Sequence, residues 1–364
     1  MTRQLLEGSE AIARAMVNAG CRFFAGYPMT PFTEVLEHMG KLLPDAGGVC
    51  INAESELEAV GMTWGAAATG TRAATGSVGQ GLALMQESLS ELCQARLPVV
   101  VLNMARGQGD YYQSTRGGGH GDYRHIVLAP SDVNEAANLV QLAFHLADTW
   151  RNPALVLGDY YLAHVFESVD TDRVDFGPVP DKDWKLTGAT GGTGHARIVS
   201  TVANDRLDVP DRLNYGQLLA KMDDRIERMR TGIEPMMESF RTDDAEVVLV
   251  AYGTPARYLR QVVRNLREDG VRIGLVRPIT LWPFPSDQMA AVLERAGTAL
   301  VYELNAGQMV DDVRLAVAGR ADVHFIGRSS FDEAGFGIAP DLDVELLTIR
   351  VRSALDAVAK EVVS

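Results

Sequence analysis

Three short segments of this 364-residue chain hold residues whose types and spacing suit catalysis. The first is Gly26-Tyr27-Pro28-Met29-Thr30-Pro31. Each proline restricts the residue before it, so Thr30 is kept out of the helical region with its hydroxyl at a fixed heading. The same residues also suit a plain strand exit, with Thr30 capping a helix that Pro31 begins. The second segment, Asn52-Ala53-Glu54-Ser55-Glu56-Leu57-Glu58, precedes a nearly uncharged stretch, 59–68. Acids in a first helical turn complement the helix dipole by a few tenths to about 1 kcal/mol, which accounts for two of the three glutamates. A third, drawn into an apolar cleft by tight packing of a Gly- and Ala-rich helix face, would bind its proton more firmly and share it with a ring nitrogen. In the third segment, Asn103-Met104-Ala105-Arg106-Gly107-Gln108-Gly109-Asp110, an arginine follows an apolar run. A guanidinium at a strand end suits bidentate clamping of a ligand carboxylate; a nearby acid such as Asp110 or Asp122 is the alternative partner.

A sheet must position these segments. Over residues 1–168 short apolar runs alternate with stretches of helical period, the pattern of a doubly wound parallel sheet. The expected strands lie near 22–25, 49–52, 71–75, 99–104, 125–128 and 154–157. Helices are expected over 31–41, 55–69, 81–94 and 132–150, the last begun by Ser131-Asp132. The pattern breaks over 169–244, with Pro178, Pro180, a glycine-rich run from Gly188 to Gly194 and one charged helix near 215–231. It resumes with apolar runs at 247–251, 271–276, 299–302 and 323–326 and helices over 255–268, 308–318 and 344–363. The fold class expected is therefore α/β, with two doubly wound parallel-sheet domains joined by an arm. Open sheets of this kind bind ligands at the carboxyl ends of their strands, where all three segments fall.

Other function classes lack their signatures. With 34 Lys and Arg against 48 Asp and Glu, a net charge of −14 argues against nucleic-acid binding. No run reaches the ~18 apolar residues of a membrane span, and the first residues lack an apolar signal core, so a soluble, cytoplasmic chain is expected. The three cysteines, Cys21, Cys50 and Cys93, are too scattered for a disulfide frame or an iron–sulfur site. Gly76-Ser77-Val78-Gly79-Gln80-Gly81 does not fit the dinucleotide fingerprint, and no phosphate loop or Gly-x-Ser-x-Gly elbow occurs. His120 and His125 have no further ligand at zinc-like spacing, so no metal site is expected.

Taken in order, the segments resemble the α subunit of 2-oxoacid:ferredoxin oxidoreductases, thiamine diphosphate enzymes that oxidatively decarboxylate 2-oxoacids to acyl-CoA. The matching stretches are Gly-Tyr-Pro-Met-Thr-Pro at 26–31, Glu-Ser-Glu-Leu-Glu-Ala-Val-Gly-Met at 54–62, Gly-Gln-Gly-Leu-Ala-Leu-Met at 79–85 and Gly-Gly-Gly-His-Gly-Asp-Tyr at 117–123. Farther on come Val-Arg-Pro-Ile-Thr-Leu-Trp-Pro-Phe-Pro at 276–285 and Tyr-Glu-Leu-Asn-Ala-Gly-Gln-Met at 302–309. The resemblance implies a pyrimidine-binding domain over 1–168, a connecting arm over 169–244 and a transketolase C-terminal-like domain over 245–364. It implies that Glu56 hydrogen-bonds the aminopyrimidine nitrogen of the cofactor and promotes its imino tautomer. Thr30 would stand beside the thiazolium and the 2-oxoacid, and Arg106 would bind the substrate carboxylate. Tyr27, Pro28, Gly79 and Gln80 are further cofactor-binding candidates; Met29, Tyr111, Arg116 and His120 are the candidate substrate loop. Glu303 and Asn305 are read as a structural cap in the second domain.

Family members seat the cofactor's diphosphate and its magnesium on a Gly-Asp-Gly, which this chain lacks: its Gly-Asp pairs at 109, 121 and 158 all precede tyrosine. The resemblance therefore implies a β subunit that brings the diphosphate, Mg2+ and iron–sulfur sites. It also implies γ and ferredoxin-like δ subunits, ferredoxin as acceptor and coenzyme A as co-substrate. Many relatives read Gly-Gly-Pro-Ser-Thr-Gly after the arginine, where this chain has Gly-Gln-Gly-Asp-Tyr-Tyr-Gln, so its pocket differs. A dicarboxylate such as 2-oxoglutarate needs a second cation, for which Arg116, His120, Arg124 and His125 are candidates; Met29, Tyr111 and Tyr112 suit a branched or aromatic side chain instead. The competing functions are a lipoyl-linked or transketolase-type thiamine enzyme and a non-catalytic scaffold of the same fold.

Overall fold

The computed structural model describes residues 3–186, 215–328 and 342–363. The chain opens with β1 (Gln4–Glu7) and α1 (Gly8–Asn18). Strand and helix then alternate through β2 (Phe23–Gly26), α2 (Thr33–Asp45), β3 (Val49–Asn52), α3 (Glu56–Ala68), β4 (Ala73–Ser77), α4 (Gly79–Ala95) and β5 (Val99–Ala105). Next come α5 (Tyr111–Thr115), β6 (Ile126–Leu128), α6 (Val133–Trp150), β7 (Ala154–Asp159), α7 (Tyr160–His164) and β8 (Phe166–Val169). The remainder comprises α8 (Tyr215–Gly232), β9 (Met237–Phe240), β10 (Val247–Val250), α9 (Gly253–Glu268), β11 (Ile273–Pro278) and β12 (Thr280–Trp282). It ends with α10 (Ser286–Ala296), β13 (Thr298–Val301), α11 (Met309–Val317), β14 (Asp322–Phe325) and α12 (Val344–Val363).

A seven-stranded sheet in the order β12-β6-β7-β5-β4-β2-β3 carries the first half of the chain. It is parallel except at β12, which runs antiparallel to β6. β5 and β7 are buried at every position, the near-continuous apolar run that a central parallel strand needs when helices cover both faces. On one face, α1, α2 and α6 contribute to a core that includes Ile12, Met16, Met39, Val140 and Phe144. On the other, Leu82, Met85 and Leu89 of α4 share a continuous core with Val248, Val250, Met309 and Val313 of the second half. That second half is a five-stranded sheet, β14-β13-β10-β11-β9, parallel except at β9, with α9 and α12 on its outer face. The expected α/β class is thus observed, each of these two sheets carrying one antiparallel edge strand, with β1 and β8 paired as a separate antiparallel ribbon.

Several elements differ from expectation. Helix α2 starts at Thr33 with Phe32 at its cap position, so Thr30 is not an N-cap and Pro31 stands outside the helix. Helices α1 and α10 occupy stretches with no expected element. Strand β9 lies within 169–244 yet belongs to the second sheet. The glycine-rich run from Gly188 to Gly194 lies outside the described residues.

The two halves interlock. β12 leaves the second half to pair with β6 of the first. Beside it the buried Arg277 donates to both oxygens of Glu135 at 2.9 Å and to Glu238 at 3.0 Å. Glu135 stands in the first turn of α6 and also accepts from the Ser131 N–H at 2.8 Å. Among the described residues no helix is long and apolar enough to cross a membrane.

Candidate active site

The carboxyl ends of β2, β4 and β5 lie side by side, with Gly26 opposite Gly76 and Ser77 opposite Asn103 in the ladders. Onto this edge the chain folds the three segments singled out above. Helix α3 starts at Glu56 because Ser55, in extended conformation, accepts the Leu57 N–H at 3.2 Å and closes the first turn. The Ser55 hydroxyl also bonds Glu58, whose carboxyl is held below its usual range chiefly by that bond. Glu58 is exposed and buttresses the Ser55 cap; Glu56 is only 2% exposed.

Ser77 Oγ donates to Glu56 Oε1 at 2.9 Å, the one hydrogen bond to this carboxylate among the described residues. Helix α4 approaches this carboxylate so closely that only glycine fits at position 81. A Cβ on Gly81 would fall 2.0 Å from Ser77 Oγ and 2.3 Å from Glu56 Oε1, so any side chain at 81 would displace the carboxylate. Gly79 has the same constraint, its missing Cβ lying 2.3 Å from Asp110 Oδ1.

Arg106 follows the last residue of β5. Its Nε donates to the Thr30 carbonyl at 3.0 Å, which joins the first and third segments. Neither Asp110 nor Asp122 pairs with it; among the described residues no carboxylate lies within ion-pair distance of Arg106. Asp110 instead accepts from Asn103 Nδ2 at 3.1 Å and from Gln113 Nε2 at 2.8 Å. Burial holds the Asp110 proton more tightly than usual, while those two donors pull the other way. Arg106, Asp110, Gly79, Gln80 and Gly109 line a cleft of about 430 Å³, with Leu304 of the second half contributing to its wall.

The remaining candidates are placed as follows. Pro28 is exposed and Tyr27 half-buried on the loop after β2, while Met29 packs against the core under α1 and α2. Tyr111 and Arg116 do not face the cleft, contrary to expectation. Tyr111 is fully buried, donates to Asp312 at 2.5 Å and packs on Tyr252 with ring centroids 5.5 Å apart. Arg116 forks onto the same Asp312 at 2.9 and 3.2 Å and covers the Tyr112 ring. Burial first, and Asp312 next, raise the Tyr111 hydroxyl well above its ordinary pKa; burial and Asp311 push Tyr112 up to about 12. These residues weld the halves together, because Asp311 and Asp312 of α11 each accept from a tyrosine of the first half. The exposed His120 is anchored by its backbone, its N–H donating to Glu87 and its carbonyl accepting from Ser90.

The roles of Ser77, Asn103 and Gly81 escape sequence reasoning, although Ser77 ends β4 and Asn103 interrupts the apolar run of β5. Asn103 is fully buried, and its Oδ1 has no partner among the described residues. No group of three His, Cys, Asp or Glu residues suited to a metal occurs among the described residues. Burial pushes the Cys21 and Cys93 thiols up to about 12 and Cys50 to about 11, so none is poised as a thiolate ligand.

Residues 14–188 match the family model for the thiamine diphosphate-binding domain of pyruvate flavodoxin/ferredoxin oxidoreductases, and residues 245–333 that for core domain II of pyruvate:ferredoxin oxidoreductase. The ketoisovalerate oxidoreductase subunit VorB of Methanothermobacter thermautotrophicus is 37% identical over 338 residues, covering 90% of this chain and 93% of that one. The 2-oxoglutarate synthase subunit KorA of the same organism is 37% identical over 350 residues, covering 88% and 93%. In fold, the chain is similar to a 2-oxoglutarate:ferredoxin oxidoreductase from Magnetococcus marinus solved with 2-oxoglutarate, coenzyme A and succinyl-CoA bound. That likeness has a TM-score of 0.79 at 23% identity and covers 96% of this chain but 65% of that one. A split-gene transketolase matches with a TM-score of 0.58 at 13% identity. With both halves of the chain matched and relatives above 30% identity along almost their whole length, the protein belongs to the 2-oxoacid:ferredoxin oxidoreductase family, as a subunit that carries its thiamine diphosphate-binding domain.

Proposed function

We propose that this chain is the α subunit of a 2-oxoacid:ferredoxin oxidoreductase, holding the aminopyrimidine of thiamine diphosphate at Glu56 and the 2-oxoacid carboxylate at Arg106. The observation that carries this is the buried Glu56 carboxylate, bonded by Ser77 alone among the described residues and given room by Gly81. Such a group fits a heteroaromatic nitrogen, to which it gives and from which it takes a proton in a site closed to water. Ser77 fixes the heading of the carboxylate. Arg106 spends its Nε on the Thr30 carbonyl, so its terminal nitrogens remain to fork onto a carboxylate, with the Thr30 segment held beside them. The bound cofactor supplies the electron sink for decarboxylation.

This reading makes the chain half of a site. It lacks Gly-Asp-Gly and clustered cysteines, so a β subunit would bring the diphosphate, Mg2+ and iron–sulfur sites, with γ and δ subunits, coenzyme A and ferredoxin completing the reaction in the cytoplasm. The outer faces of α3 and α4 support a partner there: Leu57, Met62 and Leu84 are 49%, 40% and 54% exposed. The test is reconstitution with the partner subunits encoded beside it. Viologen dye should be reduced only when a 2-oxoacid, coenzyme A and both halves of the site are present; dye reduction by none of pyruvate, 2-oxoglutarate, 2-oxoisovalerate or arylglyoxylates refutes the reading.

A further inference from the structure

We propose that Asp110 makes this cleft selective for 2-oxoacids with an uncharged side chain and against those bearing a second carboxylate. The proposal rests on the reading of Arg106 as the group that binds the first carboxylate. The charged residues lining the cleft are Arg106 and Asp110, one of each sign. A dicarboxylate needs a second cation, and none of the candidates in the following loop lines the cleft. Arg116 is forked onto Asp312, and Arg124 donates to the Tyr123 carbonyl at 2.7 Å. His125 is buried, with its Nδ1 at the Ser114 carbonyl, and His120 is exposed outside the lining.

Two amide donors favour the ionised form of Asp110 against the burial that opposes it. Its Oδ2 accepts from the Asn103 amide and its Oδ1 from the Gln113 amide, so both oxygens are met by donors. A second carboxylate in this cleft would meet the Asp110 carboxylate and the apolar Leu304, whereas a branched hydrocarbon chain would meet Leu304 and Ala83. Unlike charges attract and like charges desolvated together repel, which makes Asp110 a discriminating element rather than a source of affinity.

The experiment measures kcat/KM for 2-oxoisovalerate and for 2-oxoglutarate in coenzyme A-dependent dye reduction by the reconstituted complex. The wild type is expected to favour 2-oxoisovalerate by roughly 30-fold or more. Asp110→Asn should raise the ratio of 2-oxoglutarate to 2-oxoisovalerate by about tenfold. The substitution fits the fold, because the Asn103 amide can turn its unpartnered Oδ1 toward the new NH2 group. A ratio unmoved in Asp110→Asn, with its thermal midpoint retained, overturns the proposal. So does a wild type that prefers 2-oxoglutarate, the result expected if a partner subunit brings a cation into the cleft. A complex that turns over no 2-oxoacid overturns the reading of the site itself, a result distinct from a changed preference.

Discussion

Two glutamates, Glu56 and Glu303, are buried at the same kind of place, where a strand gives way to a helix, yet their surroundings differ. Glu303 is 0% exposed and saturated with donors. Its Oε1 accepts from the Gln308 and Val310 N–H groups at 3.1 and 3.0 Å; its Oε2 accepts from Met309 N–H at 2.7 Å and from the Asn305 amide at 3.0 Å. It takes up the orphan N–H groups at the start of α11, a task that uses every lone pair and leaves nothing for a ligand. Glu56 delegates its own helix start to Ser55 and Glu58 and keeps one donor, Ser77. Burial of an acid thus carries little functional meaning; what separates a cap from a reactive group is how many of its lone pairs the fold has already filled.

The comparison breaks first at Glu56. Glu56→Gln keeps the shape and the Ser77 contact but removes the proton exchange, so kcat of the reconstituted complex should fall roughly 10²- to 10⁴-fold while size-exclusion chromatography still shows the assembled complex. Turnover within threefold of wild type would return Glu56 to the class of Glu303.

An unpartnered atom in a closed interior should instead act on stability. His125 is fully buried with Nε2 unpartnered, and burial lowers its pKa from 6.5 to about 4. The folded state then resists a proton that the unfolded chain accepts, so its contribution is present in full above pH 6.5 and is lost as the pH falls toward 4. The loss should reach about 3 kcal/mol and be absent from His125→Asn, whose amide serves the Ser114 carbonyl without titrating; parallel pH profiles in denaturant titrations would refute it.

Glu303→Gln turns an NH2 group toward backbone donors and should cost about 2 kcal/mol of stability, read as a lowered denaturation midpoint, with turnover per folded complex retained. A collapse of turnover at full stability would mean that the saturated glutamate reaches the chemistry after all. Arg106→Lys replaces a fork with a point charge and should raise KM for the 2-oxoacid about tenfold; an unaltered KM removes the clamp.

Legibility in the sequence followed locality. Glu56 and Arg106 could be placed at strand ends because the apolar runs before them and the small-residue helix after Glu56 are local signals. Helix α1 left little pattern, since Ala11, Ile12, Ala13, Ala15 and Met16 are all buried and only Glu10, Arg14 and Asn18 mark a narrow polar stripe. Helix α10 was missed although Pro283 and Pro285 before it and Gly297 after it are ordinary helix boundary signals. Tyr111 and Arg116 were misplaced for a different reason: their partner Asp312 lies 201 residues from Tyr111, and nothing nearby in the chain announces it. The same holds for β12, three residues whose pairing partner belongs to the other half of the molecule.

That borrowed strand has a consequence for how the protein can be divided. Without β12, the N–H and C=O groups on the outer side of β6 would stand open as an unprotected rim, and Arg277 would no longer neutralise Glu135 beneath it. A fragment made from the cofactor-binding half alone would carry a ready template for pairing with other chains and should clump rather than fold cleanly. Evolution can therefore fuse or separate neighbouring subunits around this polypeptide more readily than it can cut the polypeptide at its own waist.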